Sequence, residues 1–105
     1  LTGLGKTLES IASLCYLWAK KPDTKVLVLT KKSTVRQWGD EFNKFTTGVN
    51  VFMCKGSPKQ RAQVREEYEA ATGPTVLLMG HRSAVQDFTA LQDKTWGVFV
   101  LDEAT

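Results

Sequence analysis

Gly3-Leu4-Gly5-Lys6-Thr7 runs without a break into Leu8, Ile11, Ala12, Cys15, Trp18 and Ala19. Those apolar residues recur at helical spacing, which predicts a glycine loop opening an amphipathic helix over Lys6–Lys20. The pentapeptide matches the end of the phosphate-loop pattern G-x-x-x-x-G-K-[ST]. Glycines let the amides of Gly3, Leu4 and Gly5 wrap closely round phosphate oxygens. A helix start adds free N–H groups and a dipole that favours an anion. Lys6 supplies a flexible point charge for the β- and γ-phosphates, and Thr7 offers a hydroxyl to Mg²⁺. The plain alternative is a glycine turn with a surface lysine. The amphipathic helix directly behind the loop favours the nucleotide reading.

Downstream, helical and extended patterns alternate. Lys25–Thr30 is a nearly continuous apolar run, as expected of a strand buried on both faces. Ser33 is the expected N-cap of a helix carried by Val35, Trp38, Phe42 and Phe45. Val49–Cys54 reads as a strand, Ser57-Pro58 as the cap and first turn of a charged helix over Lys59–Ala71, and Gly73-Pro74 as its stop. Thr75–Met79 reads as a third strand, Ser83–Leu91 as a short helix and Gly97–Leu101 as a fourth strand. Strands alternating with helices imply an α/β fold with a mainly parallel sheet. Ligands on such sheets bind at the carboxyl ends of the strands.

One of those ends carries chemistry. Val98-Phe99-Val100-Leu101 leads into Asp102-Glu103. A carboxylate fixed at a strand end near a phosphate loop suits the Mg²⁺ shell, the role read for Asp102. A second carboxylate suits polarising the attacking water, the role read for Glu103. Alone, the pair reads equally well as a helix cap and a solvated acid. Together with Lys6 and Thr7 it points to ATP binding and hydrolysis with Mg²⁺. Lys6, Asp102 and Glu103 are then the candidate catalytic residues, and Thr7 and Asp102 the candidate metal ligands.

Composition sets the outer bounds. The chain has 105 residues, 42% hydrophobic and 24% charged, with a net charge of +3. That excludes a disordered tail, a collagen-like repeat and a disulfide-dense miniprotein. The charge permits nucleic acid without arguing for it. Cys15 and Cys54 lack metal-ligand spacing and read as free thiols, which fits a reducing intracellular compartment. The longest uncharged apolar-rich run, Ser10–Ala19, is too short to span a bilayer. The lone His81 reads as a satisfied polar residue, Trp18 and Trp38 as packing residues, and Trp96 as buried beside the last strand. Lys59, Arg61 and Arg65, interleaved with glutamates, read as a solvated helix face. A first residue already within a phosphate loop, and a last residue just past an acidic pair, suggest a piece of a longer chain.

Taken together, Gly3–Thr7 followed by Leu8, the strand leading to Ser33, the Gln37-Trp38…Glu41-Phe42…Phe45 helix, and Trp96 ahead of Val100-Leu101-Asp102-Glu103-Ala104 resemble the first motor lobe of Swi/Snf-type DNA translocases, in helicase superfamily two. The resemblance covers essentially the whole chain. It implies a RecA-like, three-layer phosphate-loop NTPase lobe, here incomplete at both ends, with residues 1–105 running from phosphate loop to acidic box. It implies ATP as fuel, double-stranded DNA as track, and a location in the nucleus in a eukaryote or the cytoplasm in a bacterium. It also implies that the loop after the first strand read here, with the hydroxyls of Thr30 and Ser33 and the ammonium groups of Lys31 and Lys32, touches DNA phosphates for grip and not for sequence. Arg82 is a further candidate.

Several positions depart from the family pattern. Leu1-Thr2 stand where Asp-Glu-Met is usual, Lys31 where proline is common, Gly80-His81-Arg82 where a Thr-Tyr-Glu-like stretch is usual, and Thr105 where the box ends in His. They point to a divergent branch. Another superfamily-two motor (an RNA helicase or a restriction-enzyme motor subunit) and a non-catalytic remnant stay open as alternatives. In this family a second lobe supplies an arginine finger, so the 105 residues alone are expected to be inactive.

Overall fold

Alternation along one strand sorts the molecule into layers. The computed structural model describes residues 3–92 and 97–102. In β1 (Lys25–Thr30), Val26 and Val28 face one side of the sheet and Leu27 the other. On the first side lie α1 (Gly3–Lys20) and α2 (Val35–Phe45). Their Ile11, Leu14, Trp18, Val35, Trp38 and Phe42 pack with Val26, Val28, Val76 and Leu78. On the second side lie α3 (Pro58–Ala70), α4 (His81–Gln86) and α5 (Phe88–Gln92). There Tyr68, Ala84 and Leu91 pack with Leu27, Leu77, Met79 and Cys54.

The sheet order is β2-β3-β1-β4, with β2 spanning Asn50–Cys54, β3 Thr75–Gly80 and β4 Val98–Leu101. Every pairing is parallel. Val26 stands opposite Val76 on one flank and Val98 on the other, and Asn50 opposite Thr75. Each residue of β3 is buried, as a central parallel strand requires. The expected α/β architecture with a parallel sheet is therefore the observed one.

Two local devices set the helices. Ser57 and Gln60 form a capping box: the Gln60 N–H donates to Ser57 Oγ (3.2 Å), and the Ser57 N–H donates to Gln60 Oε1 (2.8 Å). At the other end of α3, Lys25 Nζ donates to the carbonyls of Tyr68, Glu69 and Ala71 at 2.7–3.0 Å. An ammonium there satisfies orphan carbonyls and opposes the helix dipole.

Three helix boundaries and one burial are the main departures from the sequence reading. α1 is helical from Gly3, so the end of the glycine pattern is its first turn. Lys32–Thr34 forms a 3-10 turn, and α2 is preceded by Thr34, not capped by Ser33. Ser33 is exposed, and the Thr34 hydroxyl does not cap α2 but lies 3.0 Å from Lys31 O. The expected Ser83–Leu91 helix starts earlier and breaks in two at Asp87. Finally, Arg61 is not solvated: it is 5% exposed and donates through Nε and Nη2 to the Asp87 carboxylate at 2.8 and 3.0 Å. A polar residue at this break frees its carboxylate to meet α3, which sequence periodicity cannot reveal.

Candidate functional site

The carboxyl edge of the sheet gathers β1 at Thr30, β3 at Gly80 and β4 at Leu101. Asp102 is the next residue. Its N–H donates to Leu29 O at 2.8 Å, which continues the β1–β4 ladder and holds the backbone there. Two side chains then reach the same carboxylate oxygen. Thr30 Oγ1 and Trp38 Nε1 each donate to Asp102 Oδ2 at 2.8 Å. The His81 ring lies with Nε2 3.1 Å from Asp102 O. A carbonyl oxygen only accepts, so Nε2 carries the proton in this contact. β1, α2, β4 and the first residue of α4 thus meet at one half-buried aspartate.

A second tier stands behind it. Thr30 Oγ1 lies 2.5 Å from Thr34 Oγ1. Thr30 gives its one hydroxyl hydrogen to the carboxylate, so Thr34 is the donor in that pair, sharing its hydrogen with Lys31 O. Thr34 closes the turn that presents Lys31, Lys32 and Ser33, all exposed. That turn lies against the end of β3: a Cβ on Gly80 would stand 3.4 Å from Lys32 Cα. Two residues on from Gly80, Arg82 is exposed in the first turn of α4. The candidate phosphate-contacting residues therefore belong to adjoining segments of one edge.

Lys6 and Thr7 stand in the first turns of α1, Lys6 exposed and Thr7 buried. Gly3, Leu4 and Gly5 contribute backbone to the same turns. Glu103 and Trp96 lie outside the described residues. Among the described residues no group of three or more His, Cys, Asp and Glu could cage a metal. That is compatible with Mg²⁺, which commonly takes one or two protein oxygens and shares the rest with phosphates and water. A threonine hydroxyl and an aspartate carboxylate are the hard oxygen donors that ion takes. No helix among the described residues is long and apolar enough to cross a membrane.

Sequence reasoning placed the Thr30 hydroxyl among the DNA-phosphate contacts, whereas it is fully buried and donates to Asp102, and it missed Thr34 and the polar end of Trp38. The signal was present in part. Thr30 is a hydroxyl at the end of an apolar strand, and a buried indole N–H requires an acceptor. Neither fact names the acceptor, which lies on β4. His81 was expected to be a satisfied polar residue, and its Nε2 indeed has a partner, Asp102 O.

A second charged cluster lies on the other face of the sheet. Arg61 Nε and Arg65 Nη1 flank Asp87 Oδ2 at 2.8 and 2.6 Å. Arg61 Nη1 also donates to Gly56 O at 2.8 Å, tying the β2–α3 turn to the α4–α5 break. The hydrogen bond from Arg61, opposed by burial and reinforced by the charge of Arg65, holds the Asp87 carboxyl below the usual carboxylate range. Burial pushes the Cys15 and Cys54 thiols up, away from reactive thiolates.

A family model described as SNF2-related domain matches residues 2–105. Helicase SWR1 of Saccharomyces cerevisiae is 34% identical over 103 residues, covering 97% of this chain and 7% of that protein. ISWI chromatin-remodeling complex ATPase ISW2 of the same yeast is 34% identical over 103 residues, covering 97% and 9%. Chromodomain-helicase-DNA-binding protein 1-like of Mus musculus is 32% identical over 103 residues, covering 97% and 11%. The chain spans about a tenth or less of the length of these relatives.

Proposed function

The chain belongs to the SNF2-related domain family, and from that premise we propose that it is part of an ATP-dependent motor whose parent protein hydrolyses ATP with Mg²⁺ to move on double-stranded DNA. The observation that carries this reading is the Asp102 carboxylate, fixed by Thr30 and Trp38 at the carboxyl edge of a parallel sheet whose α1 opens with Gly3–Thr7. Relatives named as an ATPase and as a helicase-DNA-binding protein support it.

Each residue has a task in this reading. The amides of Gly3, Leu4 and Gly5 and the Lys6 ammonium bind the phosphates, and Thr7 and Asp102 hold Mg²⁺. Held there by Thr7 and Asp102, Mg²⁺ would supply charge neutralisation for the phosphoryl group in transfer. Glu103 orients and polarises the attacking water. Lys31, Lys32, Ser33 and Arg82 grip the DNA backbone. Phosphate contacts of this kind position a motor without reading bases. If the parent is eukaryotic, this function belongs in the nucleus.

The test is the ATPase of the full-length parent with duplex DNA and, separately, with RNA. Strong stimulation by duplex DNA alone, lost in Lys6→Ala, is expected. Equal stimulation by RNA would move the assignment to another superfamily-two motor. Failure to bind ATP with Mg²⁺ would make the chain a remnant.

A further inference from the structure

We propose that Thr30, Thr34 and Trp38 are positioning residues that aim the Asp102 carboxylate and connect its aim to the exposed Lys31–Ser33 turn. This rests on the nucleotide and DNA reading above and adds to it the means by which one site feels the other.

The geometry is specific. Trp38 is 2% exposed and Thr30 0% exposed, so both donors are out of water. A buried donor is tolerated only when it finds an acceptor. Packing alone would be served by phenylalanine at Trp38, which lies among Phe42 and the apolar face of the sheet. It would be served by valine at Thr30, which follows Val26, Leu27, Val28 and Leu29. Instead each spends its one side-chain donor on the same oxygen, Asp102 Oδ2. Two donors from different elements converging on one oxygen oppose rotation of the carboxylate, because turning it breaks both bonds. The direction of the other oxygen follows. Both of these donors are neutral, so these two bonds orient the carboxylate without bringing a positive charge of their own to Oδ2.

Thr34 extends this device to the surface. Its hydroxyl touches Thr30 Oγ1, and its backbone ends the 3-10 turn that carries Lys32 and Ser33. A short 3-10 segment is a place where a small displacement is absorbed. Phosphate binding on Lys31, Lys32 and Ser33 shifts that turn, and the shift reaches Asp102 through two hydroxyls. Linkage makes the effect reciprocal: nucleotide with Mg²⁺ changes DNA affinity by the factor by which DNA changes nucleotide affinity.

The experiment uses the full-length parent and a fluorescent, non-hydrolysable ATP analogue, so that binding is read without turnover. Mg²⁺ is titrated with and without duplex DNA, and melting is followed in parallel. Thr30→Val and Trp38→Phe are expected to raise the Mg²⁺ needed for half-maximal tightening of the analogue by about fivefold to tenfold, the loss of one charge-assisted hydrogen bond. Thr34→Val is expected to bring the factor by which DNA changes analogue affinity towards one. Thr30→Ser and Thr34→Ser keep the hydroxyls and should restore wild-type behaviour, which a purely structural role for the methyl groups would not allow. Where Thr30→Val lowers the melting midpoint, Trp38→Phe interrogates the same oxygen independently. Wild-type Mg²⁺ dependence in both Thr30→Val and Trp38→Phe overturns the proposal. Asp102→Asn separates the two levels: if it too leaves the Mg²⁺ dependence intact, the metal role of Asp102 has failed. If it abolishes that dependence while the other variants do not, only the positioning role has failed.

Discussion

Asp102 and Asp87 are each held by two side-chain donors from other elements, and they are held in opposite ways. Asp87, on the α3–α5 face, is clasped by two guanidinium groups, so its charge is used up inside the fold. Asp102, at the edge of the sheet, has its Oδ2 fixed by a hydroxyl and an indole, neither charged. A carboxylate that serves structure is best neutralised by its partners, because an uncompensated buried charge is costly. A carboxylate with the metal role proposed for Asp102 is served by donors that orient it without bringing a charge of their own. The kind of donor, more than burial, separates the two roles.

The largest effects come from the same substitution at both positions. Asp87→Asn leaves Arg61 and Arg65 without a carboxylate in a largely buried place, which should cost about 3–5 kcal/mol of local stability. Native-state hydrogen exchange in the full-length parent would read this as faster exchange in α3, α4 and α5. Asp102→Asn is nearly isosteric and its side-chain oxygen can still accept from Thr30 and Trp38. Its exchange pattern should stay close to wild type while DNA-stimulated ATPase falls at least about a hundredfold, since a metal ligand supplies several kcal/mol. Equal destabilisation by both variants would erase the distinction.

The two clusters also differ in how far the sequence announces them. Asp102 stands directly after an apolar strand and pairs by motif with Gly3–Thr7, so the parallel α/β architecture and the place of this carboxylate at a strand end are readable in one dimension. Its fixing partners were not readable. Thr30 and Trp38 lie on elements far away in the chain and meet Asp102 only through the β1–β4 register. The Arg61–Asp87 clasp was misread outright. Arg61 sits among charged neighbours on α3, a pattern that ordinarily means solvent, and nothing local shows that the α4–α5 break will bring a carboxylate over it. Burial of a charge is a tertiary fact, and helical periodicity reports only the side on which apolar residues lie.

Acid sharpens the contrast at smaller cost. The Asp87 carboxyl is held below its usual range, chiefly by the Arg61 hydrogen bond. A group with a depressed folded-state pKa stabilises the fold above its unfolded value, near 3.9 for aspartate. That stabilisation fades as pH falls towards and through the folded value. Exchange protection of α3–α5 in the parent should therefore fall progressively below about pH 4. In Asp87→Asn that part of the pH dependence should be missing, with the protection low at every pH. A variant retaining the same acid-dependent step would assign it to another carboxyl.

Gly56 provides the smallest test, and it asks whether the clasp depends on the turn that it ties down. The residue has φ +98°, and an added Cβ would lie 2.2 Å from Gln60 Oε1, the atom that accepts from the Ser57 N–H in the capping box. Gly56→Ala therefore imposes a strained backbone and displaces Gln60, with a loss of about 1–2 kcal/mol from the left-handed conformation and the weakened cap. Gly56 O also accepts from Arg61 Nη1, so any movement of the turn pulls on the guanidinium that holds Asp87. If turn and clasp form one unit, Gly56→Ala and Asp87→Asn combined should destabilise by less than the sum of the two, read by exchange in α3. Strict additivity would mean that the Arg61–Asp87 pair stands independently of the turn. In either case the Mg²⁺ dependence of nucleotide binding should be unmoved, because the pair lies across the sheet from Trp38 and none of its bonds reaches Asp102 Oδ2.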